Sequence, residues 1–279
     1  MPVKKYRPTS PGRRLASVSS FAELTAGPPY KPLLRVRHER AGRNAAGKIT
    51  VRHRGGGAKR FIRLVDFVQA KFDVPATVAT IEYDPARQAR LARLRYADGE
   101  QRYMLAPDGL AVGATVVSSR QRVEMKTGNR MPLEMIPPGT PICNVELRPG
   151  KGGELARSAG TTVKLLAIDG PWAQLELPSK EVRLASKHCL ATIGQVSNPD
   201  AMHVRWGKAG RMRHRGRRPT VRGKAQNPVD HPHGGGEGNQ PIGLQAPKTK
   251  WGKLAFGVKT RPVKKYSNRM ILQRRPRKA

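Results

Sequence analysis

The chain contains few acidic side chains for its length. Among 279 residues there are 19 Asp and Glu against 54 Lys and Arg, so the formal net charge is +35. Aromatic residues are also scarce, at 5%. Repulsion between so many like charges opposes compaction of the free chain. We therefore expect the working state to include a neutralising polyanion.

Two further deficits exclude common classes of protein. The cysteines Cys143 and Cys189 stand alone without a CxxC motif, which argues against a zinc ribbon or a disulfide framework. We expect them to be buried free thiols in a reducing compartment. No run approaches ~18 apolar residues, and neither end of the chain has the apolar stripe of an amphipathic helix. A membrane partner is therefore disfavoured.

The basic charge is concentrated at the two ends of the chain. Residues 1–60 carry 15 basic and two acidic side chains, residues 61–201 carry 18 and 15, and residues 202–279 carry 21 and two. In this last range only 11 of 78 residues are Ile, Leu, Val or Phe, below the roughly 20% under which a highly charged chain is expected to be disordered alone. We predict that it folds on its partner. The basic start could also be a transit peptide, but its prolines favour an extended arm.

The central part has the pattern of short β-strands. Five runs, with the hairpin signal Asp98-Gly99 between two of them, predict a small OB-type barrel. These runs are Phe61–Val68, Thr77–Tyr83, Ala89–Tyr96, Gln101–Leu105 and Ala114–Ser118. After a polar connector over 119–138, five more runs predict a barrel of the SH3 type. These are Pro141–Leu147, Thr161–Ile168, Trp172–Leu177, Glu181–Ala185 and Leu190–Val196.

The predicted fold class is therefore mainly β, with an OB-type barrel followed by an SH3-like barrel and with extended basic N- and C-terminal arms. The predicted domains are the basic N-terminal extension 1–59, the OB-type domain 60–125, the SH3-like barrel 126–200 and the basic C-terminal extension 201–279.

Glycine-containing cationic segments predict contact with RNA. The triplet Gly55-Gly56-Gly57 lies among basic residues, so we expect a close approach of backbone to sugar-phosphate, with a flexible hinge as the alternative. A second segment is the turn after Leu147, and a third is the basic run within Gly207–Gly238, which has no apolar face to bury. The predicted contacts are Arg52, Arg54, Lys59, Arg60, Arg148, Lys151, Arg157, Arg211, Arg213, Arg215, Arg217, Arg218 and Arg222.

One cluster has the residue types that catalysis needs. Asp230, His231, His233 and Glu237 surround a second glycine triplet. Three hypotheses are open: His231 as a general base, His231 and His233 as metal ligands, or both histidines as RNA contacts in a loop shaped by Gly and Pro. We favour RNA contact, because a glycine-rich loop outside a protein core cannot hold a base with the precision that catalysis needs. We expect no catalytic residue, no metal and no cofactor.

Several segments together resemble a known family. They include KKYRPTSPGRR (4–14), GRNAAGKITVRHRGGGAKR (42–60), EYDPAR (82–87), GKGGELARSAGT (150–161) and NPVDHPHGGGEG (227–238). In order and spacing, they are similar to the universal L-two (L2) family of large-subunit ribosomal proteins in its bacterial-type form, over essentially the whole chain.

The resemblance implies that the protein is a structural constituent of the large ribosomal subunit in the cytoplasm. It implies early binding to large-subunit rRNA and contact with small-subunit rRNA across the intersubunit face. It also implies neighbouring ribosomal proteins as partners, support of subunit association and of the peptidyl-transferase region, and an indirect role in tRNA binding. Arg87 and Arg157 match family arginines that anchor the two barrels to rRNA, and His231 matches the histidine of the tail loop. A free RNA chaperone or messenger-binding protein is the alternative from another class.

Overall fold

A computed structural model describes residues 3–276 of the chain. Within this range the chain divides into two compact units. The barrel unit comprises residues 3–38, 59–209 and 269–276, and the loop unit comprises residues 39–58 and 210–268. No helix in the described range is long and apolar enough to cross a membrane.

The barrel unit begins with short elements. Strands β1 (Val3–Lys5) and β2 (Ser17–Ser19) pair antiparallel around helix α1 (Pro11–Arg14). A 3-10 turn at Lys31–Leu33 leads into β3 (Leu34–Val36), which pairs with β4 (Phe61–Arg63). The β1–β2 ladder therefore pairs two parts of the N-terminal arm with each other, and the β3–β4 ladder pairs the arm with the segment after residue 60.

A four-stranded antiparallel sheet forms the first barrel-like domain. Its strands are β5 (Ala76–Tyr83), β6 (Arg90–Tyr96), β7 (Gln101–Leu105) and β8 (Thr115–Val116), in the order β7-β6-β5-β8. The predicted hairpin at Asp98-Gly99 is confirmed: Gly99 has φ +82°, a value that favours glycine, and its amide donates to Tyr96 O at 3.0 Å. The buried core of this sheet includes Ala76, Val78, Ala92, Leu94 and Met104.

The second barrel-like domain is built on a larger sheet. Its strands are β9 (Arg130–Pro132), β10 (Pro141–Cys143), β13 (Val163–Asp169), β14 (Trp172–Glu176), β15 (Val182–Ser186) and β16 (Leu190–Ile193). A 3-10 turn at Leu133–Met135 follows β9, and β11 (Val145–Glu146) pairs separately with β12 (Gly153–Leu155). The buried core includes Leu133, Ile142, Val163, Leu165 and Leu175.

The loop unit contains little regular structure. It holds most of helix α2 (Ala209–His214) and a 3-10 turn at Gly223–Ala225. Two further 3-10 turns lie at Pro199–His203, in the barrel unit, and at Tyr266–Met270, where the chain passes from the loop unit to the barrel unit. After the second of these, β17 (Ile271–Gln273) returns to the barrel unit and adds to the edge strand β15, which gives the seven-strand order β17-β15-β14-β13-β10-β16-β9.

The mainly β fold class is confirmed, and the sheets are consistent with the two predicted barrel-like domains. Three strand predictions were wrong in detail. The polar connector contains β9. The turn after Leu147, which we call the glycine-rich turn (residues 148–160), contains β12, and β17 lies outside every predicted run. The short β-type segment Ile49–Val51, which lies outside the ten predicted runs, forms only an isolated bridge between Ile49 and Arg43. The domain boundaries remain predictions.

Candidate nucleic-acid interface

Two arginines from different parts of the barrel unit share one aromatic ring. Arg87 lies in the turn after β5, and Arg157 lies just after β12. Their Cζ atoms are 4.9 Å and 4.6 Å from the centroid of the Phe67 ring. A guanidinium stacked on a ring keeps in-plane N–H donors that can bind a phosphate bidentately. We call these three residues the Phe67 platform.

Hydrogen bonds hold each arginine of the platform in place. Arg87 Nη1 donates to Oδ2 of the fully buried Asp84 at 2.7 Å, and Asp84 Oδ1 accepts from the amide of Ala86 at 2.8 Å. Arg157 Nη1 donates to Gly153 O at 3.1 Å. Because part of the side-chain entropy is already lost, binding of a ligand costs less.

A buried ion pair organises the glycine-rich turn beside the platform. Arg130 and Glu146 are both fully buried, with Arg130 Nη2 3.0 Å from Glu146 Oε1. The same carboxylate accepts hydrogen bonds from the amides of Gly150 and Gly152, each at 3.1 Å, and of Leu190 at 3.2 Å. Burial lowers the pKa of Arg130, because the charged form loses its hydration.

The turn packs against the backbone of the platform and exposes its cations. Gly153 N donates to Phe67 O at 2.9 Å. A Cβ added at Gly152, which has φ +87°, would lie 3.2 Å from the same oxygen. Arg148 is exposed, and Lys151, which pairs with Glu154 at 2.6 Å, has a side chain 55% exposed. Arg148 and Lys151 therefore project from a turn that is itself tied to the Phe67 platform.

In the loop unit the triplet Gly55-Gly56-Gly57 approaches another segment of protein backbone. Gly55 N donates to Gly216 O at 2.9 Å, and a Cβ added at Gly57 would lie 3.0 Å from Gly216 N. Arg54 forms an isolated β-bridge with Arg217, so two exposed cations lie side by side. Within the protein the close approach is therefore to the chain itself. Adjacent like charges in this place favour an anionic partner.

The sixteen expected RNA-contacting residues divide between the two units. The barrel unit carries Lys59, Arg60, Arg87, Arg148, Lys151 and Arg157. The loop unit carries Arg52, Arg54, Arg211, Arg213, Arg215, Arg217, Arg218, Arg222, His231 and His233.

Both histidines of the tail loop accept hydrogen bonds from backbone. His231 Nδ1 accepts from the amide of His233 at 3.0 Å, and His233 Nε2 accepts from the amide of Lys248 at 2.9 Å. Their rings meet edge to face with centroids 4.7 Å apart. Burial, followed by the charges of His233 and Arg52, lowers the pKa of His231. Over residues 3–276, no group of three or more His, Cys, Asp or Glu side chains could hold a metal ion.

Sequence reasoning missed Phe67 and Glu146 as parts of this interface. Phe67 was assigned to a predicted strand run, and no local pattern connects it with Arg87 or Arg157. Glu146 lies in the predicted run Pro141–Leu147, and no sequence pattern indicates that this acidic residue is buried or accepts four hydrogen bonds.

Two family models match the chain. Residues 30–118 match the model described as Ribosomal Proteins L2, RNA binding N-terminal domain, and residues 126–252 match Ribosomal Proteins L2, C-terminal domain. The matched ranges contain the Phe67 platform, the glycine-rich turn and most of the loop unit. The chain therefore belongs to the ribosomal protein L2 family, whose members are structural, RNA-binding constituents of the large ribosomal subunit.

Proposed function

We propose that the protein binds large-subunit rRNA through two cationic surfaces. One is the Phe67 platform together with Arg148 and Lys151, and the other is formed by the arginines of the loop unit. The observation that carries the proposal is the stacking of Arg87 and Arg157 on one ring, at 4.9 Å and 4.6 Å. Two guanidiniums held against one ring present N–H donors that suit the phosphates of a folded RNA backbone.

The charge of the loop unit supports the same partner. Residues 39–58 and 210–268 carry 19 basic and three acidic side chains. Such a density of cations binds a polyanion mainly by releasing its counterions. RNA supplies both that charge and a shape into which short loops fit.

We further propose the finer roles that the family resemblance implies. Anchored by its barrels, the protein supports association of the subunits through small-subunit rRNA, and it contacts neighbouring ribosomal proteins. His231 contributes indirectly to the peptidyl-transferase region and to tRNA binding. The support for an indirect role is that His231 Nδ1 already accepts a hydrogen bond from the loop backbone, so this nitrogen shapes the loop rather than receiving a substrate proton.

The full-length chain and large-subunit rRNA provide the test. Arg157→Ala should weaken binding by about 1.5–3 kcal/mol, as expected for a hydrogen bond to a charged group. The substitution should also reduce the steepness of log K, plotted against the logarithm of the salt concentration, by about one unit; we call this steepness the salt slope. Arg157→Lys keeps the charge but loses the planar stack, so it should recover the slope more fully than the affinity.

Lys180→Ala is the matched control. Lys180 is an exposed cation at the β14–β15 turn, where it pairs with Glu176 at 3.0 Å. The Lys180→Ala substitution removes the same formal charge as Arg157→Ala, but it should leave the affinity for rRNA and the salt dependence of binding unchanged. Equal effects of the two variants would mean that only net charge matters, and the platform would be excluded as an rRNA site.

Sedimentation in high salt separates this function from that of a free RNA chaperone. A structural constituent remains with the large subunit, whereas a loosely bound chaperone is released as salt rises. Release of the protein at salt concentrations that leave the other large-subunit proteins bound would favour the chaperone.

A further inference from the structure

Trp251 lies at the tip of a small hairpin in the loop unit. Lys248 and Leu254 form a β-bridge at its base, and Ala255 N donates to Pro247 O at 2.8 Å. The turn is closed by two bonds, from Thr249 N to Lys253 O at 2.7 Å and from Gly252 N to Thr249 O at 2.9 Å. We call residues 247–255 the Trp251 hairpin. Its hydrogen bonds define the backbone on which the indole is displayed.

The indole is exposed and has two cations beside it. Trp251 is 67% exposed. Arg52 Cζ lies 5.4 Å from the indole centroid, and Lys250 Nζ lies 5.0 Å from it. An exposed apolar residue alone needs no explanation. A large exposed aromatic surface with two cations close to its ring is different, because it combines a stacking surface with charges suited to a phosphate.

The base of the hairpin is attached to the tail loop, residues 227–238. The amide of Lys248 donates to His233 Nε2, and the amide of His233 in turn donates to His231 Nδ1. His233 is therefore a positioning residue for the Trp251 hairpin. This attachment links His233, in the segment 227–238, to a hairpin whose Trp251 lies 18 residues further along the chain.

We propose that the Trp251 hairpin is a base-stacking site, in which the exposed face of Trp251 takes one unpaired base of large-subunit rRNA while Arg52 and Lys250 hold the flanking phosphate. Every base has a π-face, so stacking on an indole tolerates any sequence. The inference rests on the proposed rRNA binding and adds a site and a mode of contact to it.

The charge of the loop unit favours RNA over a protein as the occupant. With 19 basic and three acidic side chains, this unit would accept only a strongly acidic protein at Trp251. An unpaired nucleotide offers both the flat apolar surface and the negative charge in one group. RNA-binding proteins combine the same two contacts, an aromatic stack and a cation, when they hold single strands.

The test measures binding of the full-length chain to large-subunit rRNA over a range of salt concentrations. Trp251→Ala should weaken binding about 5- to 150-fold, the effect of losing one base stack, and should leave the salt slope unchanged. Lys250→Ala should instead reduce the slope by about 0.7, because it removes one phosphate contact to a single strand. Trp251→Leu, which is apolar but cannot stack, should behave like Trp251→Ala.

Comparing Trp251→Phe with the wild-type chain by tryptophan fluorescence separates a stacking contact from a purely structural role of Trp251. The variant retains an aromatic ring but removes the indole fluorophore, leaving Trp172 and Trp206. The wild-type chain should lose tryptophan emission on binding rRNA, and this loss should be largely absent in Trp251→Phe although the variant still binds. Phe256→Ala is the matched control, because Phe256 is 79% exposed in the same unit.

The outcomes separate this inference from the proposed function. If Arg157→Ala weakens binding but Trp251→Ala does not, base stacking at the hairpin is refuted and the rRNA-binding function stands. If Phe256→Ala weakens binding as much as Trp251→Ala, the hairpin has no special role and the inference is again refuted. If neither Arg157→Ala nor Trp251→Ala has an effect, the proposed function itself fails.

Discussion

Replacing Glu146 by Gln removes one charge from the most deeply buried ion pair described in the barrel unit. Glu146 accepts hydrogen bonds from Arg130 and Gly152 through Oε1, and from Gly150 and Leu190 through Oε2. A glutamine side chain has only one acceptor oxygen. Its NH₂ group, in the place of the second carboxylate oxygen, would face two N–H groups that need an acceptor. The substitution therefore leaves the volume almost unchanged but disrupts half of the hydrogen bonds.

The expected cost follows from what remains buried. Arg130 is fully buried and keeps its proton, because a guanidinium is effectively always charged. Without the carboxylate it becomes an uncompensated charge inside the protein, and breaking a buried pair in this way costs about 3–5 kcal/mol. The two amides that lose their acceptor contribute to the same total, since contributions from one network are not additive.

Urea unfolding of the full-length chain, followed by the circular dichroism of its β-sheets, measures this cost. The matched control is Glu176→Gln, which breaks an exposed pair with Lys180 at the same N–O distance of 3.0 Å. Exposed pairs contribute about 0–1 kcal/mol, so the control should be nearly neutral. Equal destabilisation by Glu146→Gln and Glu176→Gln would refute the view that a buried pair organises the glycine-rich turn.

One other prediction concerns protonation. Burial raises the pKa of Cys143 and Cys189 to about 12, so neither thiol should react with iodoacetamide at pH 8 until the chain is denatured, and rapid labelling of the native chain would contradict their burial.

Local signals in the sequence were sufficient for the main β elements. The Asp98-Gly99 turn needs a backbone with positive φ, and Gly99 provides it, so the β6–β7 hairpin could be predicted from two residues. The apolar alternation of β5 and β13 likewise reflects their half-buried faces. These elements depend on contacts between residues that are near one another in the chain.

The missed elements depend on contacts between distant residues. Strand β9 contains Arg130 and ends with Pro132, so nothing in its composition predicts a strand, and pairing with β16 supplies its hydrogen bonds. Strand β17 has only three residues and exists because β15 offers it an open edge. Tertiary context overrides weak local preference in both cases.

The candidate site divides in the same way. Arg87 and Arg157 could be singled out by family resemblance, but the ring that holds them both could not. Phe67 is 20 residues from Arg87 and 90 from Arg157 in sequence, and it reaches them only because the two domains of the barrel unit fold around it. Such convergence has no signature in a single sequence.

Hydrogen exchange of the full-length chain, alone and bound to large-subunit rRNA, tests the central claim most directly. We predict that rRNA protects two regions, the segments around Phe67, Arg87 and 148–157, and the loop unit over 39–58 and 210–268, while the β14–β15 turn is unaffected. We also predict rapid exchange of residues 202–268 in the chain without RNA. Equal protection of that segment with and without rRNA, or protection confined to the β14–β15 turn, would contradict the account.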